Sequence, residues 1–215
     1  EKVEKAEEFL RLVVFRSGSL AIFGLTDPSR PGVGVLPVFR TLNFDVRVFG
    51  TDNTPHFYSI ATDTFRPYSM MIFAKPGEKL EVILRSTEVE PIGFLINATK
   101  ENPEGYGFEI QSGKTTIVNS FQILLDVYLT TDVKLRMAQR YNIQGMTIPV
   151  YHNGTWTRIE EALDSLENYD YATFYSKMLE AWSLERSAYL EVKTMIKDTI
   201  STTIFFFILL MPFVF

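Results

Sequence analysis

Only two histidines, and no cysteine, are available for chemistry in this chain. His56 stands beside Phe57 and Tyr58, and His152 precedes an Asn-Gly pair. The absence of cysteine excludes disulfides, thiolate metal clusters and a cysteine nucleophile, and two histidines leave little material for a zinc site or for histidine-based catalysis. The sequence therefore predicts no catalytic residue, no cofactor and no bound metal, and we interpret His56 as a strand or sheet-edge residue.

Several groups of carboxylates are candidate sites, but we interpret them as ordinary surface. Paired acids could serve an acid–base reaction, and oxygen ligands gathered at one end of a sheet could bind calcium, but their spacing matches no known calcium loop. The pairs are Glu88 with Glu90 and Glu160 with Glu161, and the calcium candidates are Asp52, Asp63, Glu104 and Asp126. The sequence also lacks a nucleophile elbow, a His-Glu-x-x-His motif and a dinucleotide fingerprint, and Gly32-Val33-Gly34 follows a proline turn.

Composition indicates a globular chain with an apolar appendage. The 215 residues are 46% hydrophobic and 22% charged, with a net charge of −5. This is enough apolar mass for one medium domain plus an extension, or for two small domains. The 21 lysines and arginines are scattered along an acidic chain, which argues against a nucleic-acid partner.

The segment between about Ser17 and Arg158 predicts an antiparallel β-sandwich. Short alternating runs are separated by turn residues, and Lys75 to Lys79 reads as a turn. The strands are expected near 20–24, 42–48, 57–61, 70–74, 80–84, 92–97, 107–111 and 121–130. Asn153-Gly154 suits a type I′ turn, so 147–152 and 155–159 are expected to form a hairpin that places Tyr151 opposite Trp156.

Helices are expected on both sides of these strands. A stripe with steps of three and four runs from Tyr171 to Thr199, and Glu185 interrupts it. We interpret the helix over 171–203 as a stalk, with an amphipathic helix folded back on the domain as the alternative. A shorter helix is expected over 158–166, and an N-terminal helix over 1–14 could pair with the stalk.

The chain closes with an apolar run that indicates a membrane segment. Its charge-free residues include Ile204, Phe205, Phe206, Phe207, Ile208, Leu209, Leu210, Pro212 and Phe213. Twelve residues rise only about 18 Å as a helix, which is less than a bilayer core of about 30 Å. We interpret the run as the start of a transmembrane helix, with a buried core element or a cleaved lipid-anchor signal as alternatives.

Two glycosylation sequons point to the compartment of the strand-rich region. They begin at Asn97 and Asn153, and neither contains proline. They favour an extracytoplasmic location. Lys193 and Lys197 beside the apolar run argue mildly for the opposite orientation.

The segment 169–215 resembles the junction of prokaryotic multi-pass, permease-like membrane proteins. The resemblance is carried by Tyr175-Ser-Lys-Met-Leu-Glu-Ala-Trp182, by Asp198-Thr-Ile-Ser-Thr-Thr203 and by the Phe-rich run that ends in Leu-Leu-Met-Pro-Phe213. Proteins of this kind carry an extracytoplasmic β-sandwich region, often a carboxypeptidase-regulatory or transthyretin-like module. The resemblance implies a non-catalytic region of a transporter-like envelope protein.

The sequence thus predicts a β-sandwich with flanking helices, divided into an N-terminal helix (1–16), a β-sandwich ectodomain (17–158), a helical stalk (159–203) and the start of a membrane segment (204–215). The expected function is a non-catalytic binding or sensing domain in a cell membrane, facing the extracytoplasmic side. Its expected partners are the lipid bilayer, another helix or membrane domain of the same longer chain, and a protein or polymer ligand. The alternatives are a membrane-tethered hydrolase or carbohydrate-active enzyme, and a surface-layer or filament subunit.

Overall fold

A computed structural model of the protein describes residues 14–25, 43–63, 69–85, 91–141, 143, 145 and 147–213. The expected N-terminal helix up to residue 13, the Gly32–Gly34 loop and the pair Glu88 and Glu90 lie outside these residues. The described part is about 50% helical and 25% strand. Its helix content is therefore higher than the mainly β composition that we expected.

Eight strands within the described residues form two sheets. The strands are β1 (Gly18–Phe23), β2 (Asn43–Val48), β3 (Tyr58–Asp63), β4 (Ser69–Ala74), β5 (Lys79–Arg85), β6 (Pro91–Leu95), β7 (Phe108–Glu109) and β8 (Thr115–Asn119). The first sheet has the order β3-β4-β1-β8, and the second has the order β2-β5-β6 with β7 also paired to β5. Most pairs are antiparallel as expected, but β1 and β8 run parallel. The predicted turn at 75–79 carries the chain from one sheet to the other, and Gly77 has a φ of +88° there.

Three helices follow the strands in the described part of the chain. They are α1 (Ser120–Arg140), α2 (Ile148–Glu167) and α3 (Tyr171–Leu210), and a short 3-10 turn, Met211–Phe213, continues from α3. Asn119 caps α1 by accepting a hydrogen bond from the Gln122 amide at 3.4 Å, and Asp170 caps α3 by accepting one from the Thr173 amide at 3.1 Å. The expected helices at 158–166 and 171–203 are confirmed as parts of α2 and α3.

The expected strand at 121–130 is wrong, because these residues lie in α1. Its β-branched and aromatic residues favour strand locally, but the buried side chains recur at helical spacing, from Ile123 and Val127 to Thr131 and Leu135. This stripe packs against β6 and α3. Gly93 of β6 allows close packing, since a Cβ there would lie 2.7 Å from a methyl group of Ile123.

The expected hairpin at 147–159 is also wrong, because Asn153 and Gly154 lie inside α2. Pro149 occupies the first turn of this helix, where a missing N–H costs nothing. The buried side chains of α2 are Ile148, His152, Thr155, Ile159 and Ala162, with steps of four and three. Burying this stripe against α3 outweighs the local turn preference of Asn-Gly, so Tyr151 and Trp156 are not cross-strand neighbours.

One hydrophobic core connects both sheets to the three helices. It includes Ile22 and Ile72 from the first sheet, Val82 and Leu84 from the second, and the fully buried Trp182 of α3. A smaller cluster of Leu135, Ile148, Ala188 and Val192 joins the helices nearer the apolar end of α3. The middle of α3 is therefore part of the core, as in the alternative of a helix folded onto the domain. Its last turns extend beyond the core.

Candidate functional site

A buried histidine–glutamate pair lies where the three helices meet. His152 of α2 is 5% exposed and Glu185 of α3 is 0% exposed. The His152 Nδ1 atom lies 3.1 Å from Glu185 Oε2. The carboxylate has no donor of its own when it is ionised, so Nδ1 carries the hydrogen and donates it. The other carboxylate oxygen, Oε1, has no hydrogen-bond partner, and burying such a group is costly.

The second ring nitrogen of His152 faces α1. His152 Nε2 lies 3.6 Å from Asp132 Oδ1 and has no hydrogen-bond partner. Tyr128 of α1 stacks on the imidazole, with the ring centroids 4.2 Å apart and the planes 8° from parallel. Burial, followed by the charges of Asp132 and Glu185, raises the pKa of Tyr128 to about 12. The phenol of Tyr128 therefore stays protonated over the physiological range. His152 Nε2 is left without a hydrogen-bond partner.

A cleft of about 320 Å³ lies beside Tyr128 and Asp132, two residues of α1 that contact His152. We call it the junction cleft, and it is lined by Lys100, Pro103, Tyr128, Leu129, Asp132, Arg136 and Trp156. The Trp156 ring lies 5.4 Å from that of Tyr128, and its indole N–H donates to Glu160 at 2.7 Å. The Lys100 ammonium lies 4.9 Å from the centre of the Trp156 ring, and Arg136 pairs with Asp132. The cleft thus combines flat aromatic faces with hydrogen-bond donors and acceptors.

The loop that brings Lys100 and Pro103 to the cleft is held by Asp126, a buried residue of α1. One carboxylate oxygen accepts from the Ile96 and Asn97 amides at 2.7 and 3.0 Å. The other oxygen accepts from the Ala98 amide and from the Gln122 side chain, both at 2.8 Å. Burial raises the pKa of Asp126 to about 6, against the lowering effect of these four donors.

The loop also needs a glycine at position 105. Gly105 has a φ of +87°, and a Cβ there would lie 2.2 Å from the Ile96 carbonyl oxygen. The Asn102 side chain donates to the Gly105 carbonyl at 2.5 Å. Internal bonds and the Asp126 anchor together fix residues 96–105 against α1.

Hydrogen bonds around the pair do not provide a nucleophile for a catalytic triad. The nearby hydroxyls of Thr131 and Thr155 donate to the carbonyls of Val127 and Tyr151, at 2.9 and 3.0 Å. Neither hydroxyl is therefore bonded to His152 in the way that an activated nucleophile requires. The described residues around the pair provide hydrogen-bonding groups and aromatic surface.

The candidate calcium ligands lie in different places. Asp126 is committed to backbone amides, and Asp52 pairs with Arg47 at 2.5 Å with its side chain 96% exposed. Asp63 ends the edge strand β3, and Glu104 lies in the loop after β6. Within the described ranges, no group of three or more histidine or acidic side chains is arranged to hold a metal ion.

The remaining candidate residues occupy surface positions. Glu160 accepts from Trp156, and Glu161 pairs with Arg158 and Lys177 of α3. His56 is exposed just before β3, and its ring lies 4.4 Å from that of Phe57.

The two sequon asparagines have different surroundings. Asn97 has a φ of +56°, and its side-chain amide donates to the Gly107 carbonyl at 3.1 Å. Asn153 is exposed on α2. A glycan on Asn97 would have to replace its hydrogen bond to Gly107, whereas Asn153 is free of this restriction.

Sequence reasoning missed the His152–Glu185 pair. The hairpin prediction places His152 in a strand, and a strand gives no reason to pair His152 with the helical stripe of α3. The available signal was Glu185, a carboxylate inside an otherwise apolar stripe, because a buried charge needs a partner. His152 lies in a stripe of the same spacing on the preceding helix and is that partner.

The apolar end of α3 forms a second unusual surface. Side chains from Phe205 to Met211 are between 51% and 75% exposed, on every side of the helix. A groove of about 870 Å³ runs from Gly145 and Ile148 along α3 to Phe206. Within the described part of the chain, no helix combines enough length and apolarity to cross a membrane.

Comparisons with known proteins gave no match to this chain, whether with protein-family models, with curated proteins or with solved structures.

Proposed function

We propose that this chain is a non-catalytic binding domain fixed to a membrane through the apolar end of α3 and facing the extracytoplasmic side. In this proposal the two sheets form a β-sandwich, which their shared core supports. The observation that carries the proposal is α3 itself, one helix of 40 residues and about 60 Å. Its middle is buried in the domain, and its last turns are apolar on all sides.

The all-round exposure of these last turns favours lipid as the occupant. A helix that packs on one protein surface carries a single apolar stripe, whereas a helix that is apolar on all sides lies in a membrane or inside a larger protein. Phe205, Phe206 and Phe207 point in directions about 100° apart, and all three are more than half exposed. Lipid chains surround a helix and cover every direction at once. The start of a membrane span at residue 204 is part of this proposal.

α3 connects the core of the domain to the apolar end without a hinge. Val192 is the last fully buried residue of α3, and it lies roughly 18 Å along the helix from Ile204. No proline or glycine interrupts this stretch, so the helix has no built-in hinge. Ligand binding to the domain would be linked to the membrane end through one continuous element.

A lysine scan of the apolar end tests the lipid assignment. The full chain is mixed with phosphatidylcholine vesicles, and the bound fraction is measured by flotation. We expect Phe205→Lys, Phe206→Lys and Phe207→Lys each to lower the partition coefficient roughly tenfold or more, because a lysine in hydrocarbon costs on the order of 2–3 kcal/mol. Ile117→Lys is the matched control, since Ile117 is 71% exposed on β8, and we expect it to bind like the wild type.

The three variants also distinguish lipid from a protein partner that binds one face of the apolar end. Sensitivity at only one of the three positions would indicate a partner that covers one face, and it would refute the lipid assignment. A wild-type chain that stays in the bottom fraction would refute membrane attachment altogether.

Sidedness is tested by adding a protease to intact cells that hold the parent protein in its native membrane. Release of peptides from 43–158 before lysis is expected, and release only after lysis would refute the extracytoplasmic assignment.

A further inference from the structure

A second cleft, of about 540 Å³, lies between β7 of the second sheet and β8 of the first. The neighbouring residues Phe108 and Glu109 of β7 line one wall, and residues 116–119 of β8 line the other. A strand that turned one face to the cleft would contribute only every second residue. The cleft therefore runs along the edges of the two strands, where main-chain groups are presented.

The free edge of β8 carries main-chain groups that β1 does not use. On the side of β1, the Ser19 amide donates to the Lys114 carbonyl at 3.0 Å, and the two strands pair in parallel along all of β8. Successive residues of a strand direct their N–H and C=O groups to opposite sides, so Thr116 and Val118 bond to β1 and Ile117 points away from it. The N–H and C=O groups of Ile117 therefore lie on the cleft side, and its side chain is 71% exposed.

The opposite wall presents main-chain groups in the same way. The Ile110 amide donates to the Glu78 carbonyl at 2.9 Å, and the Ile110 carbonyl accepts from the Gly77 amide at 2.8 Å. These two bonds direct Ile110 towards the turn that precedes β5. By the same alternation, the N–H and C=O groups of Glu109 point away from β5, on the side of the cleft that Glu109 lines. Main-chain donors and acceptors are thus available on both walls.

The side chains of β8 lack the features that protect an exposed strand from pairing. Protected edges commonly carry lysine or proline, whereas Thr115–Asn119 reads TTIVN, without a charge or a proline. The two charged residues of the cleft, Lys79 and Glu109, are cross-strand partners on β5 and β7 and offset each other. The cleft therefore favours an uncharged occupant that has main-chain donors and acceptors of its own.

We propose that the cleft between β7 and β8 binds an extended, uncharged peptide segment of another protein, which adds a strand to β8. This names the ligand class of the proposed binding domain and rests on that proposal, but it does not depend on membrane attachment. An added strand bonds to its neighbour through every second residue, and Ile117 supplies a donor and an acceptor at the middle of the edge. Affinity in this mode comes from main-chain hydrogen bonds, and selectivity comes from alternate side chains.

The amides of Ile117 and Glu109 provide the readout. The full chain is labelled with ¹⁵N in detergent micelles, and an acetylated peptide amide of sequence Thr-Val-Thr-Val-Thr-Val is the probe. We expect both amide signals to shift saturably and the Ile117 amide to exchange its hydrogen roughly tenfold more slowly, while the indole signal of the fully buried Trp182 stays in place. The same peptide with every backbone nitrogen methylated keeps the side chains but has no main-chain donors, so we expect it not to bind.

A proline at position 117 tests the β8 edge from the side of the protein. Ile117→Pro removes the N–H on the cleft side and no bond to β1, because proline is tolerated where the N–H of an edge strand is unpaired. We expect it to weaken peptide binding roughly fivefold or more, which is the loss expected for one hydrogen bond. Retained protection of the Thr116 and Val118 amides shows that the strand is intact.

Ile117→Thr is the matched control for this variant. It keeps the amide on a β-branched residue, so its affinity for the peptide should stay within about twofold of the wild type. If the proline variant does not fold, the comparison of the two peptides on the wild-type chain tests the same main-chain bonds.

Several results would overturn the peptide assignment. They are no saturable shift with the unmethylated peptide, equal shifts with the methylated peptide, and wild-type affinity in Ile117→Pro. A chain that forms a dimer by itself in sedimentation, and loses the dimer in Ile117→Pro, would overturn it in favour of a second copy. Because the flotation assay contains no peptide and the peptide titration contains no vesicles, either proposal can fail while the other survives.

Discussion

Replacing Asp126 with asparagine tests the loop anchor that positions the junction cleft. The carboxylate accepts four hydrogen bonds, two at each oxygen, from Ile96, Asn97, Ala98 and Gln122. Asparagine has nearly the same shape, but its Nδ2 group is a donor, and it would face two other donors on one side. The substitution therefore removes acceptors without creating a cavity.

The loss in the free energy of unfolding depends on which of the two carboxylate oxygens the new Nδ2 group replaces. With Nδ2 towards the Ile96 and Asn97 amides, two backbone N–H groups lose their acceptor. With Nδ2 towards Gln122, the Gln122 amide can rotate to present its oxygen, and only the Ala98 N–H is left without a partner. The second arrangement is cheaper. One buried unpaired N–H costs about 1–3 kcal/mol, so we expect Asp126→Asn to lower the free energy of unfolding by about 2 kcal/mol at pH 7.

The assay is thermal unfolding of the full chain, combined with hydrogen exchange at the amides of residues 96–98. For a chain of this size, 2 kcal/mol corresponds to a decrease in Tm of roughly 4–8 °C. Exchange at the Ala98 amide should accelerate most, because that donor is the one left unpaired. Asp164→Asn is the matched control, and as an exposed substitution it should change the stability by less than about 0.5 kcal/mol. Wild-type stability together with wild-type protection at all three amides would refute the anchoring role.

Three further predictions concern pH, a helical glycine and the buried pair. The folded-state pKa of Asp126 is raised to about 6 from 3.8, so its contribution to stability is greatest below pH 4 and falls as the pH rises to 6. The difference in the free energy of unfolding between the wild type and Asp126→Asn should therefore shrink by up to about 3 kcal/mol over that range. A constant difference would contradict the raised pKa. Gly154→Ala should stabilise α2 by about 0.5–1 kcal/mol in thermal unfolding, because a Cβ would meet Leu184 at an ordinary 3.4 Å, whereas destabilisation would favour the hairpin. Replacing His152 and Glu185 with glutamine, singly and together, should give a coupling energy of about 1–3 kcal/mol in a double-mutant cycle, and additive effects would show that the 3.1 Å contact is not energetically coupled.

Strands with a clear alternation were predictable because the pattern is local. Asn43–Val48 and Lys79–Arg85 lie within or close to the predicted ranges, and the turn between Ala74 and Lys79 was also predicted. A strand that buries one face alternates apolar and polar residues, so a few neighbouring residues are enough to recognise it. The stripe along α3 was readable for the same reason, with a period of 3.6.

The errors occurred where local preference and tertiary packing disagree. Residues 121–130 carry β-branched and aromatic side chains, and Asn153-Gly154 carries a turn signal, yet both segments are helical. Each gains more from burying a stripe against α3 than it loses in intrinsic propensity, and that gain depends on contacts distant in sequence, such as Phe121 with Phe174 and His152 with Glu185. A local window contains no information about that partner.

The sequence by itself determined the apolar, charge-free end of the chain, the lack of cysteine chemistry and the long helix that leads to residue 204. These properties depend on residue types and on spacing along one element. Only the tertiary structure decided that His152 meets Glu185 and Asp132, and that Asp126 holds a loop rather than a metal. Those contacts join α1, α2 and α3 with the loop after β6, and they exist only once the helices pack, because the interacting atoms must come within about 3–4 Å of each other.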